Sequence, residues 1–290
     1  CFLEDLKGDL SVQGRNSMAR PCNKGHFVLQ YFLMCFTEEP FAFGGGFVKE
    51  NKYDNPIFFE KYSQMSRSQQ GLAGAGEWED FRKILPTFSG KEVLDLGCGY
   101  GWHCIYAAQQ GAAHVTGVDL SEKMLQVARE KTSFPQVEYL HAAIEDVDFP
   151  SESFEVVFSS LAILYLKDFS AFVEKVRTWL KPGGDFVFSV EHPIFTAYGT
   201  QDWYCDDAGN ILHFPVDNYF YEGKRTAHFL GEDVVKYHRT LTTYLDTLLT
   251  GGFTLGRMVE PQPPESMREL PGMKDELRRP MMLLVAATKQ

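Results

Sequence analysis

The chain predicts a doubly wound α/β domain, and three observations carry that prediction. Apolar runs of strand length alternate with helical patterns from about residue 55 to the C-terminus. The first strand-like run, Val93-Leu94-Asp95-Leu96, leads into a loop with glycines at 97, 99 and 101. The second, His114-Val115-Thr116-Gly117-Val118, closes on Asp119. Glycines at alternate positions let the backbone turn sharply and let a ligand approach closer than a Cβ permits. A carboxylate at the tip of the next strand can accept hydrogen bonds from both hydroxyls of a ribose, each charge-assisted bond contributing roughly 1.5–3 kcal/mol. Together these features predict a nucleoside pocket at the carboxyl ends of parallel strands.

The elements follow in order. An aromatic helix is expected over 55–64, with Tyr53, Phe58, Phe59 and Tyr62 as helical neighbours, and a second over 76–85 that Pro86 stops. A strand over 92–96 precedes the glycine loop, and a helix over 102–110 ends at Gly111. The strand 114–118 leads to a helix over 122–131, with Ser121 as its N-cap. Strands follow at 137–141 and 154–159. A helix over 168–180 stops at Lys181-Pro182-Gly183-Gly184, ahead of a strand over 185–190. A late helix over 239–249 ends at Gly251-Gly252, and strands are expected at 253–259 and 281–288.

Composition narrows the function. The 290 residues are 44% hydrophobic, ample for a core, and the formal net charge is −11. An acidic surface repels phosphate backbones, so nucleic acid is not the expected substrate. The six cysteines show neither a CxxC pair nor metal-ligand spacing; no metal site is expected. Read as free thiols, they suggest a reducing, cytoplasmic setting, with Cys98 a small filler inside the glycine loop. Residues 1–47 lack periodicity and read as a poorly defined N-terminal extension. The apolar run 26–36 within it is too short to span a bilayer, so no membrane association is expected. Gly44-Gly45-Gly46 marks a break, and the domain proper is expected over 48–290; deleting 1–47 should leave cofactor affinity intact.

The nucleoside is narrowed by one residue. A dinucleotide fingerprint needs glycine or alanine at position 102, and Trp102 stands there. The order Asp-x-Gly-x-Gly-x-Gly over 95–101 instead resembles the first motif of the class I S-adenosylmethionine (SAM) dependent methyltransferases. Asp146-Val147-Asp148-Phe149-Pro150, running into Phe154-Glu155-Val156-Val157, and Leu180-Lys181-Pro182-Gly183-Gly184 resemble two further turns of that family, so the resemblance spans roughly 49–290. It implies a Rossmann-like, seven-stranded, mostly parallel sheet with strand seven antiparallel. It also implies SAM as cofactor, with Asp95, Gly97, Gly99 and Gly101 at its methionine end and Asp119 on its ribose. Ala143, Ile144 and Glu145 are implied at the adenine, with the Ile144 amide facing the ring. Many relatives carry an aspartate at the position of Ala143, and Glu145 is the expected substitute. Leu120 beside Asp119, Ser160 after the fourth strand and Tyr62 on the aromatic helix complete the expected cofactor contacts. Two other readings stand beside transfer: a SAM-binding regulator without catalysis, and a nicotinamide-dependent oxidoreductase.

Ligands of open α/β sheets sit beyond the carboxyl ends of the strands, so the acceptor should meet residues after strands four and five. Glu191 and His192 follow strand five and are the candidate catalytic groups. An imidazole titrates near working pH, though His-Pro can equally just steer the chain. Some related sequences have a histidine where Leu164 stands, so no base is expected there. Tyr165 is read as pocket wall or core, and His103 as a cofactor-carboxylate contact or a surface residue. The insertion over 194–237 holds many aromatic residues, Phe195, Trp203 and Phe229 among them, and reads as a lid over the acceptor. A small-molecule acceptor and a monomer or simple homodimer are expected.

Overall fold

Strand pairing of the apolar runs builds one large sheet in the computed structural model, which describes residues 20–22 and 51–290. The strands are β1 (Arg20–Cys22), β2 (Glu92–Leu96), β3 (His114–Asp119), β4 (Val137–His141), β5 (Phe154–Ser160) and β6 (Leu180–Glu191). Then come β7 (Trp203–Cys205), β8 (Ile211–His213), β9 (Gly223–Phe229), β10 (Glu232–His238), β11 (Phe253–Val259) and β12 (Met282–Lys289). The helices are α1 (Pro56–Ser63), α2 (Ser66–Gln69), α3 (Trp78–Ile84) and α4 (Trp102–Gln109). They continue with α5 (Glu122–Lys131), α6 (Phe169–Trp179), α7 (Pro193–Ala197) and α8 (Leu241–Thr250).

Seven strands lie in the order β11-β12-β6-β5-β2-β3-β4. Strands β2 to β6 pair in parallel, whereas β12 runs antiparallel to both β6 and β11. From β2 the chain builds outward through β3 and β4, then returns to the other side of β2 with β5 and β6. The strand order therefore reverses between β2 and β5, where such sheets open a crevice at their carboxyl ends.

Alternation along each strand feeds two cores. Leu94, Leu96, Phe186 and Phe188 face α6 and α8, while Val93, Val115 and Val187 face α3 and α4. Helix α6 buries Phe169, Phe172, Val173, Val176 and Trp179, a single stripe at helical spacing. Asp168 caps it by accepting from Ala171 N at 2.9 Å, and Ser121 Oγ caps α5 by accepting from Met124 N at 3.2 Å.

Several element ends differ from expectation by a residue or two, α3 among them, which starts at Trp78 and not at 76; two differences have a clear physical reason. Helix α6 ends at Trp179 and β6 begins at once with Leu180, so Lys181-Pro182-Gly183-Gly184 leads into the strand instead of separating it from the helix. The reason is pairing: buried Leu180 sits opposite Phe154, and a register shift before Val156 absorbs the irregular lead. Helix α8 starts at Leu241, because Thr240 Oγ1 accepts from Thr243 N at 3.1 Å and makes Thr240, not Arg239, the boundary.

Between β6 and α8 the chain forms α7, the pair β7–β8 and the antiparallel hairpin β9–β10. Strand β1, the only described part of the N-terminal extension, pairs antiparallel with β7; the rest of 1–47 lies outside the described residues. Cys98 and Cys104 are free thiols, but Cys205 is disulfide-bonded, which corrects the reading of the cysteines as uniformly free. Among the described residues, no helix is long and apolar enough to cross a membrane.

Trp179 is fully buried, its Nε1 donating to Asp148 Oδ1 at 3.2 Å and its ring 5.3 Å from that of Phe149. Trp179→Ala should lower the unfolding free energy by about 3–5 kcal/mol, read from the denaturant midpoint at unchanged slope.

Candidate active site

A cavity of about 290 Å³ opens at the carboxyl ends of the parallel strands. Its floor is the glycine loop, held against β3 where Gly97 N and Cys98 N both donate to Val118 O, at 2.8 and 3.0 Å. The three glycines have different tasks. A Cβ at Gly97 would overlap that of Ala162, and one at Gly101 would strike the Tyr139 hydroxyl. At Gly99, with φ +53°, it would meet nothing within 4 Å. Gly99 therefore keeps open space on the cavity wall, whereas Gly101 lies off that wall and serves packing.

Asp119 stands beside Gly99. Its Oδ2 accepts from Gly99 N at 2.8 Å and its Oδ1 from Ser121 N at 2.9 Å, leaving each oxygen a further lone pair. Burial raises its carboxyl above the ordinary range, the two N–H bonds oppose that rise, and the nearby Asp54 carboxylate adds to it. Asp95 sits one layer deeper, off the cavity wall, because its β2 position turns the side chain toward α4. There Cys104 Sγ donates to Oδ2 at 3.2 Å, and Oδ1 has no partner among the described residues. Burial pushes the Asp95 carboxyl up to about 8; the Cys104 bond opposes the shift and the Asp119 charge reinforces it.

Leu120, Ala143, Ile144, Glu145, Ser160 and Tyr62 all line the cavity with Gly97, Gly99 and Asp119. Tyr62 packs edge-on against Tyr53 and Tyr100, at ring distances of 5.2 and 5.8 Å. The chain before α1 is tied to the same end: Asp54 Oδ1 accepts from Ser121 Oγ at 2.6 Å and from Lys123 N at 3.2 Å. Farther along the wall, Arg67 Nη2 donates to both Glu77 oxygens, at 2.9 and 3.0 Å.

The other end of the cavity is walled by Glu191, Phe195, Gln201, Phe229, Lys236 and Glu276, with Leu164 and Tyr165 between. Lys236 Nζ lies 2.6 Å from Glu191 Oε1, and Arg279 pairs with Glu276 through two bonds of 2.6 and 3.1 Å. His192, the other expected catalytic group, is not on the wall. Its Nδ1 accepts from Ile194 N at 3.1 Å as the N-cap of α7, and its Nε2 lies 2.8 Å from Glu260 Oε1. Burial lowers its pKa, against the pull of Glu260. Nδ1 is taken by the helix cap and Nε2 faces Glu260 without a well-aligned hydrogen bond, so neither nitrogen is directed to the cavity wall. His103 is likewise not on the cavity wall: it is half-buried, its ring packed against those of Trp78, Phe81 and Phe158, and desolvation pushes its pKa down to about 3.

A family model described as a methyltransferase domain matches residues 94–188. The fold superposes on a candidate SAM-dependent methyltransferase of Listeria monocytogenes with a TM-score of 0.73 and 57% identity, covering 76% of this chain and 99% of that one. A SAM-dependent methyltransferase of Mesorhizobium loti matches with a TM-score of 0.70 and 41% identity over 76% of this chain and 100% of its own. The chain belongs to the SAM-dependent methyltransferases. An uncharacterized protein of Haemophilus influenzae is 32% identical over 248 residues, 83% of this chain and 98% of its own length. The protein is thus a methyltransferase enzyme with SAM as cofactor, and the nicotinamide reading is set aside.

Several wall residues of the methyltransferase escaped the sequence reading. Arg67, Glu77, Gln201, Lys236 and Glu276 come from separate segments, and no local pattern marks them as neighbours. The Asp119-Leu120-Ser121 turn, by contrast, announced both an acid on the cavity wall and the helix cap.

The proton on Asp95 has a measurable consequence. Its carboxyl rises from the ordinary 3.8 to about 8 in the folded chain, so folding favours its protonated form. That contribution is complete below the unfolded value and is lost as pH rises toward about 8. Asp95→Asn should therefore flatten the fall in stability across this window, removing a slope that approaches about 1.4 kcal/mol per pH unit. Denaturant titrations of both proteins across the window measure it; parallel profiles would refute the assignment.

Proposed function

We propose that this methyltransferase acts on a neutral small molecule enclosed in the same cavity as the cofactor. The supporting observation is continuity: one chamber runs from Gly99, Asp119 and Ile144 to Glu191, Phe229 and Lys236. The residues present fit SAM. Asp119 has spare lone pairs for two ribose hydroxyls, and Gly99 leaves the backbone bare beside it. Ala143, Ile144 and Glu145 form the adenine wall in this reading, with Leu120, Ser160 and Tyr62 completing the cofactor contacts.

Bound SAM supplies a methyl group activated on a sulfonium. The chain's own task is to align and to exclude water, and positioning alone can contribute about 7–11 kcal/mol to barrier lowering. Tyr53, Tyr62 and Tyr165 offer an aromatic lining suited to a cationic sulfur. The insertion over 194–237 acts as a lid within a domain over 48–290, since Phe195, Gln201, Phe229 and Lys236 all reach the cavity. Of the two expected catalytic groups, Glu191 is the one that faces the acceptor.

The neutrality of the acceptor rests on charge. Arg67 pairs with Glu77, Lys236 with Glu191 and Arg279 with Glu276, so each buried ion pair at the wall is internally balanced. A charged acceptor head buried there would lack a counter-ion.

Two outcomes are expected. Asp119→Ala should weaken S-adenosylhomocysteine binding about tenfold or more by calorimetry, from loss of charge-assisted bonds. Incubation of the enzyme with methyl-labelled SAM and a metabolite extract should place label in the small-molecule fraction; label confined to macromolecules would overturn the reading.

A further inference from the structure

The cavity carries one polar cluster that holding SAM does not require. Glu191 ends β6 on the core sheet, Lys236 comes from β10, and Gln201 from the loop before β7. Lys236 Nζ donates to Glu191 Oε1 at 2.6 Å and to Gln201 Oε1 at 3.2 Å; Gln201 Nε2 donates to Glu191 Oε2 at 2.6 Å. Each pair of contacts fixes the third, which sets the orientation of the Gln201 amide.

The cluster is built at a cost. Lys236 is 4% and Gln201 2% exposed, and removing a charge from water costs several kcal/mol even after relaxation. Gln201 also holds a left-handed backbone, φ +65°, a strain of roughly 1–3 kcal/mol for a residue other than glycine. An apolar trio would pack this corner without either cost.

Glu191 and Lys236 both line the chamber, where the Lys236 ammonium also lies 5.5 Å from the centroid of the Phe229 ring, and both keep unused valences. An ammonium has three N–H donors, and only two of Lys236's have partners among the described residues. Each Glu191 oxygen takes one bond from the cluster and keeps a further lone pair. The wall thus presents a donor and an acceptor side by side, on a pair with no net charge. We infer that this cluster recognises a hydroxyl group on the acceptor, which takes the remaining Lys236 N–H on its oxygen and donates its own proton to Glu191. A carboxylate or an ammonium would add an unbalanced charge, and a hydrocarbon would leave both protein groups unpaired. Sites built to bond a hydroxyl reject the analogue that lacks it far more strongly than apolar pockets discriminate by size. Because Lys236 and Gln201 belong to the insertion and Glu191 to the sheet, the recognition group also joins the lid to the domain. This inference rests on the reading of the cavity as an acceptor chamber.

Matched probes test it on the S-adenosylhomocysteine-saturated protein: phenol against toluene, and benzyl alcohol against ethylbenzene, by ligand-observed magnetic resonance titration. The hydroxyl members should bind about tenfold or more tightly, equivalent to about 1.4 kcal/mol. Lys236→Met should reduce that advantage to about twofold or less at unchanged toluene and S-adenosylhomocysteine affinity. If the single variant does not fold, Lys236→Met with Glu191→Met removes the pair without stranding a charge and should give the same loss. Equal binding of both members to the wild type, or an advantage retained in the folded variant, overturns the inference alone. Failure of all four probes to bind overturns the acceptor chamber with it.

Discussion

A carboxylate clasped by two backbone amides organises this molecule. Asp119 closes β3, and its oxygens take the N–H groups of Gly99, in the loop after β2, and Ser121, at the entrance of α5. A half-buried carboxylate loses part of its hydration and gains from such bonds, so the loop and the helix start are drawn to one point. From Ser121 the constraint spreads outward: its hydroxyl caps α5 and donates to Asp54, which also accepts from Lys123 N and Asn51 Nδ2. The segment before α1 is thereby positioned as a wall of the chamber, so one acid both lines the chamber and anchors part of its enclosure.

At the opposite end, packing and electrostatics share the work. Phe58 of α1 meets Phe229 of β9 at 5.8 Å, and Tyr53 hydroxyl meets Tyr165 hydroxyl at 3.1 Å. These contacts hold the N-terminal helices and the β9–β10 hairpin over the same opening. Beneath them, Arg279 stacks on Phe195, Trp203 and Phe214 at 4.4 to 5.0 Å while it pairs with Glu276. The insertion is therefore joined to the domain through balanced ion pairs and aromatic faces, and the chamber it bounds is apolar with polar points at chosen places.

The division between the legible and the hidden follows the range of the interactions. The run from Val93 to Asp119 was readable because strand alternation, glycine-dependent turning and helix capping all act within a few residues. The antiparallel β12 followed from the family resemblance, since nothing within 281–288 states which way that strand enters the sheet. The start of β6 was misplaced because Lys181-Pro182-Gly183-Gly184 reads locally as a break, while pairing of Leu180 with Phe154 overrides it. His192 shows the same conflict in a single side chain: an imidazole after strand five suited a base, but its neighbours Ile194 and Glu260 make it a helix cap turned toward Glu260.

What the amino-acid order alone determined was the alternating architecture, the bare-backbone loop and the acid at the end of β3, because each is encoded in contiguous residues. What only the tertiary structure decided was which side chains share the chamber. Glu191, Gln201 and Lys236 come from a sheet strand, a loop and a hairpin, and Arg67 reaches Glu77 across the turns between α2 and α3. Such groups carry no mutual signal along the chain; they become neighbours only when burial of the two cores brings distant segments together, and burial then compels each charge to find its opposite.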